Sequence, residues 1–148
     1  MKERTIDYIL RTTWLAVQKM YNEEAAKFGS TMATGFTLLS IDPEKGTPST
    51  ALGPKMGMEA TSISRLLKTM ETKGLIERHP NPEDGRGVII KLSEFGRQKR
   101  VLTKDKVLNF NETIKENISE EKLNTFYEVA DLINDMVSNK KIFDQNDK

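Results

Sequence analysis

Apolar residues fall at two spacings along this chain, and the change from one to the other marks its elements. Ile6, Ile9, Leu10, Trp14, Val17, Met20 and Tyr21 recur at the i, i+3, i+4, i+7 interval of an amphipathic helix that ends near Phe28-Gly29. Met32 to Ile41 continues with a shorter helical stretch, capped by Ser30 or Thr31 and stopped by the Asp42-Pro43-Glu44-Lys45-Gly46 turn. Thr47-Pro48 has the form of an N-cap followed by a first-turn proline, and predicts a short helix from Ser49 to Leu52 that Gly53-Pro54 curtails or distorts.

From Glu59 to Lys73 the pattern separates into a dry face of Ile63, Leu66, Leu67 and Met70 and a polar face of Thr61, Ser62, Ser64, Arg65 and Lys68, with Gly74 as the helix stop. The period then shortens. Leu75–His79 and Val88–Leu92 read as two strands, separated by the proline- and glycine-rich loop from Pro80 to Gly87. Ser93 caps a long helix carrying Val101, Leu108, Ile114 and Ile118. Ser119 caps a last one carrying Leu123, Phe126, Tyr127, Ala130, Ile133 and Met136, and Asn139 to Lys148 is expected to fray. The fold class is therefore mostly α with a small β-hairpin (α+β).

The 148 residues suit one domain. With no cysteine, disulfides, thiolate zinc sites, iron–sulfur clusters and thiol redox sensing are excluded by chemistry, and the single histidine, His79, cannot alone assemble a metal cage. His79 stands at the foot of the hairpin beside Pro80 and is expected to neighbour backbone or phosphate. Met1-Lys2-Glu3-Arg4 leads directly into a polar-faced helix, with neither a signal peptide nor a membrane span, so a soluble cytoplasmic protein is expected. Net charge is only +1, but Glu44 to Arg100 holds 11 Lys/Arg against 7 Asp/Glu while the remainder holds 12 against 15. A positive middle between negative ends suits a nucleic-acid-facing module on a scaffold that touches protein.

A short helix, a turn and a longer helix with a polar face form a helix-turn-helix, whose second helix lies in the major groove; the hairpin directly after it supplies a wing. The run Gly57 to Arg78, then Asp84-Gly85-Arg86, then Leu92-Ser93-Glu94-Phe95-Gly96 resembles the MarR family of winged-helix regulators. That family places a Ser/Thr-rich recognition helix ending in Arg-Leu before Lys-Gly-Leu-Ile-Glu-Arg, an Asp-x-Arg wing tip, and Leu-Thr-x-x-Gly opening a dimerisation helix. The chain departs from the pattern at Glu59, Ala60 and Gly53-Pro54. The resemblance implies one domain over 1–148, with a winged helix-turn-helix at 30–92 and dimerisation helices at 1–29 and 93–139. It further implies that Arg86 enters the minor groove while Asp84 holds its guanidinium, and that Thr61, Ser62, Ser64 and Arg65 face phosphates and base edges. Lys68, Lys91 and Arg97 would meet the DNA backbone, and Trp14, Tyr21 and Phe36 would line an effector pocket of the kind family members often have.

Three functions compete. The first is a ligand-responsive repressor or activator, a homodimer on a pseudopalindromic operator of duplex DNA, joined through residues such as Ile6, Leu10, Phe126, Ile133 and Met136. The second is a winged-helix protein-interaction module without DNA binding, which has no reason to keep Arg65 and Arg86 together. The third, an enzyme, lacks support: no nucleophile with a nearby base, no paired carboxylates in a pocket motif and no phosphate-binding glycine loop is evident, and no cofactor is expected.

Overall fold

A computed structural model describes residues 4–143. The expectations for Met1–Glu3 and for the tail from Asp144 onward lie outside the described residues. The elements run α1 (Ile6–Ala26), α2 (Met32–Ser40), β1 (Thr47–Pro48), α3 (Ser49–Met56), α4 (Ala60–Thr72), β2 (Ile76–Asn81), β3 (Asp84–Leu92), α5 (Glu94–Asn117) and α6 (Glu120–Ser138). The chain divides into two compact units, Met1–Asp105 and Lys106–Lys148.

In the first unit, Thr5 caps α1 by accepting the Tyr8 N–H, and Thr31 caps α2 by accepting the Thr34 N–H at 3.2 Å. Gly29, Gly57 and Gly74 each follow a helix with φ between 63° and 75°, the left-handed conformation that only glycine adopts without strain. At Gly57 the backbone closes a Schellman motif, Met58 N–H to Gly53 O at 2.9 Å and Gly57 N–H to Pro54 O at 3.3 Å.

Two sequence expectations are corrected between Gly46 and Gly57. Thr47-Pro48 is a strand, not a helix cap: it pairs antiparallel with Ile90 and Ile89, and the Thr47 hydroxyl accepts the Asp42 N–H at 2.9 Å. With that hydroxyl occupied, α3 begins at Ser49 with Pro48 at its N-cap and no side-chain cap bond. The helix also runs through Gly53-Pro54 to Met56 instead of stopping at Leu52. Proline there forfeits one i→i−4 bond, but its ring would also collide with a Cβ on the preceding residue, and Gly53 has none. Gly53 is buried where an added Cβ would lie 3.1 Å from Met58 O, while Pro54 faces outward.

The sheet order is β1-β3-β2. Behind it, Leu38, Ile41, Leu52, Ile63, Leu67, Met70, Leu75, Ile76, Ile90 and Leu92 form one buried cluster. Each such side chain contributes about 1.5–3 kcal/mol through removal from water. All ten lie between positions 38 and 92, so the core belongs to the helix-turn-helix and its sheet. Helix α1, by contrast, has no buried residue. In the second unit, Ser119 caps α6 by accepting the Lys122 N–H at 3.3 Å, and α6 likewise has no buried residue. Among the described residues no helix is long and apolar enough to cross a membrane.

Candidate nucleic-acid interface

Helix α4 sorts its side chains as its sequence predicts. Ile63, Leu67 and Met70 are buried, while Thr61, Ser62, Ser64, Arg65 and Lys68 are all exposed. Among the described residues, no intramolecular hydrogen bond or ion pair holds the side chains of Thr61, Ser62, Ser64, Arg65 or Lys68. Thr69 and Thr72 instead satisfy their hydroxyls by donating to the carbonyls of Arg65 and Lys68. The first two turns of the helix thus present hydroxyls and a guanidinium with no internal competitor.

Glu59 occupies the N-cap, yet its side chain makes no cap bond; only its carbonyl takes part, accepting the Ile63 N–H at 3.0 Å. The departure seen in the sequence at Glu59 therefore leaves the backbone N–H groups at the start of α4 without a side-chain acceptor, available to an oxygen from outside.

The hairpin differs from the expected pair of short strands with a flexible loop. The ladder Ile76↔Leu92, Glu77↔Lys91, Arg78↔Ile90, His79↔Ile89 and Pro80↔Val88 continues, after a register shift, to Asn81↔Asp84. Only Pro82 and Glu83 lie between the strands. Two side chains organise the tip: Asn81 Oδ1 accepts the Glu83 N–H and Asp84 Oδ1 accepts the Arg86 N–H, each at 3.0 Å. This changes the role expected of Asp84, whose carboxylate holds the Arg86 backbone. Among the described residues no ion pair reaches the Arg86 guanidinium, which is exposed. Lys91 is exposed on β3, opposite Glu77.

His79 has a side-chain neighbour that the sequence did not suggest. Its Nε2 lies 3.1 Å from Glu77 Oε2 on the same strand, so its neighbour is a carboxylate. A contact not foreseen joins Arg78 to Glu71 at 3.2 Å and ties the foot of the hairpin to α4. Both side chains are well exposed, so this pair contributes little to stability. Of the expected effector residues, Tyr21 and Phe36 meet edge to face with ring centroids 5.3 Å apart, and burial raises the Tyr21 phenol pKa. Trp14 lies two turns earlier on α1 and remains about half-exposed.

The MarR family model matches residues 31–88, the segment from the α2 cap to the returning strand of the hairpin. The helix-turn-helix and wing of this chain therefore match the MarR family over that segment. Among curated proteins, the chain is 26% identical over 88 residues to the uncharacterized HTH-type transcriptional regulator YdgJ of Bacillus subtilis (strain 168). That match covers 60% of this chain and 54% of YdgJ, so the chain spans about half the length of that relative. Among solved structures, the S. aureus MepR–DNA complex superposes with a TM-score of 0.80 at 22% identity, covering 92% of this chain and 99% of MepR. The PcaV regulator from Streptomyces coelicolor, in complex with its natural ligand, gives 0.76 at 16% identity over 93% and 99% of the two chains. At these identities the structures establish a shared fold, the MarR-type winged helix.

Proposed function

We propose that this protein is a sequence-specific transcriptional regulator that acts in the cytoplasm as a homodimer on duplex DNA. Helix α4 lies in the major groove, and the β2–β3 tip brings Arg86 to the adjacent minor groove. The observation that carries this reading is the unsatisfied polar face of α4, with Thr61, Ser62, Ser64, Arg65 and Lys68 exposed over a buried row of Ile63, Leu67 and Met70. Hydroxyls and lysines position the helix on phosphates, and Arg65 takes a guanine edge by two parallel hydrogen bonds. Lys91 and Arg97, both exposed, add phosphate contacts. The MepR structure, solved with DNA, and the match of residues 31–88 to the MarR family model support this assignment. No catalytic role is proposed.

The homodimer rests on apolar faces that the single chain does not cover. Ile6 is 65% exposed and Leu10 49% on α1, and Phe126 is 61% and Met136 40% on α6. Surfaces of this kind mark protein contacts, and a second copy of the same chain supplies a self-complementary one. Sedimentation velocity at micromolar concentration should show a dimer; a stable monomer would remove this part of the reading.

Selection from random duplexes tests the whole proposal. A two-fold pair of recognition helices predicts a pseudopalindrome with half-sites about 10 base pairs apart, one helical turn. A single asymmetric half-site contradicts it, and enrichment of no sequence returns the fold to a protein-interaction role. An effector is expected beside Tyr21 and Phe36, with Trp14 further along α1, and its binding would bias the spacing of the two recognition helices. PcaV, solved with its natural ligand, supports a ligand-responsive reading.

A further inference from the structure

Ser93 is the last residue before α5, and it bonds in three directions. Its N–H donates to Leu75 O at 3.1 Å, its hydroxyl donates to Gly74 O at 2.5 Å, and the same hydroxyl accepts the Gly96 N–H at 3.0 Å. One proton and two lone pairs suffice for the last two bonds. Gly96 completes the contact from the other side: a Cβ there would run into the Leu75 carbonyl oxygen, whose carbon is itself 3.0 Å away.

Both carbonyls that Ser93 holds belong to the turn that ends α4. Gly74, at φ +75°, donates to Glu71 O and Leu75 donates to Met70 O, each at 3.0 Å, the Schellman closure of that helix. The C-terminus of α4 and the N-terminus of α5 are therefore fastened through one side chain and one missing Cβ.

We infer that Ser93 is a positioning residue for DNA reading. It fixes the angle between α4 and α5, so that the polar face of α4 is aimed by α5 and follows any rotation of it. The inference rests on the proposed DNA-binding role. It differs from ordinary helix capping, because a cap needs only an acceptor for the Gly96 N–H, whereas the clasp also needs a donor to Gly74 O. Ser93→Thr keeps both functions, Ser93→Asp keeps the acceptor and removes the donor, and Ser93→Ala removes both.

The chain has no cysteine, so Thr72→Cys with Lys104→Cys, both at exposed positions, takes exactly two spin labels, one on each helix. Double electron–electron resonance on this labelled chain, diluted into unlabelled protein of the same position-93 type, reads the angle with no DNA present. A single narrow distance is expected for the parent and Ser93→Thr, and a broadened or displaced one for Ser93→Asp and Ser93→Ala. A narrow, unmoved distance in Ser93→Asp would show capping alone and overturn the clasp. On unlabelled proteins, the ratio of affinities for a selected duplex over a random one should fall about tenfold in Ser93→Ala and return in Ser93→Thr. A broadened distance with an unchanged ratio would overturn the role in reading. A parent protein that binds no duplex defeats the DNA-binding proposal and with it the role in reading, while the spin distances still decide whether the clasp exists.

Discussion

Gly96→Ala should destabilise the protein by about 3 kcal/mol, the upper part of the range for overpacking a well-ordered site. The added methyl group meets a backbone carbonyl, that of Leu75, and not the movable end of a side chain. Leu75 cannot give way easily: its side chain is in the buried core, its N–H is bonded to Met70 O, and its carbonyl already accepts the Ser93 N–H. The start of α5 must shift instead, and the Ser93 bonds are lost with it. Urea denaturation should show a large fall in the midpoint with little change in slope. Gly85→Ala is the matched control. A Cβ at Gly85 meets nothing within 4 Å, so its effect should stay within about 0.5 kcal/mol. Equal stability of the two variants would refute the close approach of α5 to the α4–β2 turn.

That contact shows where the sequence was legible and where it was not. Helix α4 could be read because its signals are local: Ile63, Leu67 and Met70 recur at helical spacing, and Gly74 stands where the left-handed stop falls. The polar face of the candidate site followed from the same periodicity. The importance of Gly96 was visible only through resemblance to a family motif, since nothing in its neighbours along the chain places a Leu75 carbonyl against it. Thr47-Pro48 misled for a related reason. A threonine before a proline satisfies the local rules for a helix start, but the strand partners Ile89 and Ile90 lie some forty residues away, and their ladder outweighs the local preference. At the hairpin tip, prolines and glycines suggested a long loop. Asn81 and Asp84 instead use their own carboxamide and carboxylate to close successive turns, so the ladder continues almost to the end. The division of labour at Asp84 could not be read from spacing, because a carboxylate two residues from an arginine can bond its guanidinium or its backbone, and here it bonds the backbone.

Arg65→Ala and Arg86→Ala should both weaken DNA binding, but differently, because the two guanidinium groups stand on different elements. Arg65 projects from the exposed face of α4 and has no internal partner among the described residues. If it takes a guanine edge as proposed, its removal should cost about 1–3 kcal/mol on the best site and flatten preference at one position, with a smaller effect on random duplex. Arg86 is carried on the hairpin tip, and its proposed role is to respond to groove width and potential. Its loss should weaken the selected site and its A·T-rich flanks together and lower the salt slope by about one unit. Asp84→Ala now has a defined structural meaning: it frees the Arg86 backbone N–H and loosens the turn while leaving the guanidinium in place. A milder loss than that of Arg86→Ala is therefore expected, combined with an unchanged or slightly steeper salt slope, since one negative charge has been removed from beside the DNA. Fluorescence anisotropy with selected and random duplexes at several salt concentrations measures all three variants. If both arginine variants bind every duplex as the parent does, with the same salt dependence, α4 and the hairpin tip do not read DNA. The exposed polar face would then have to serve a protein partner.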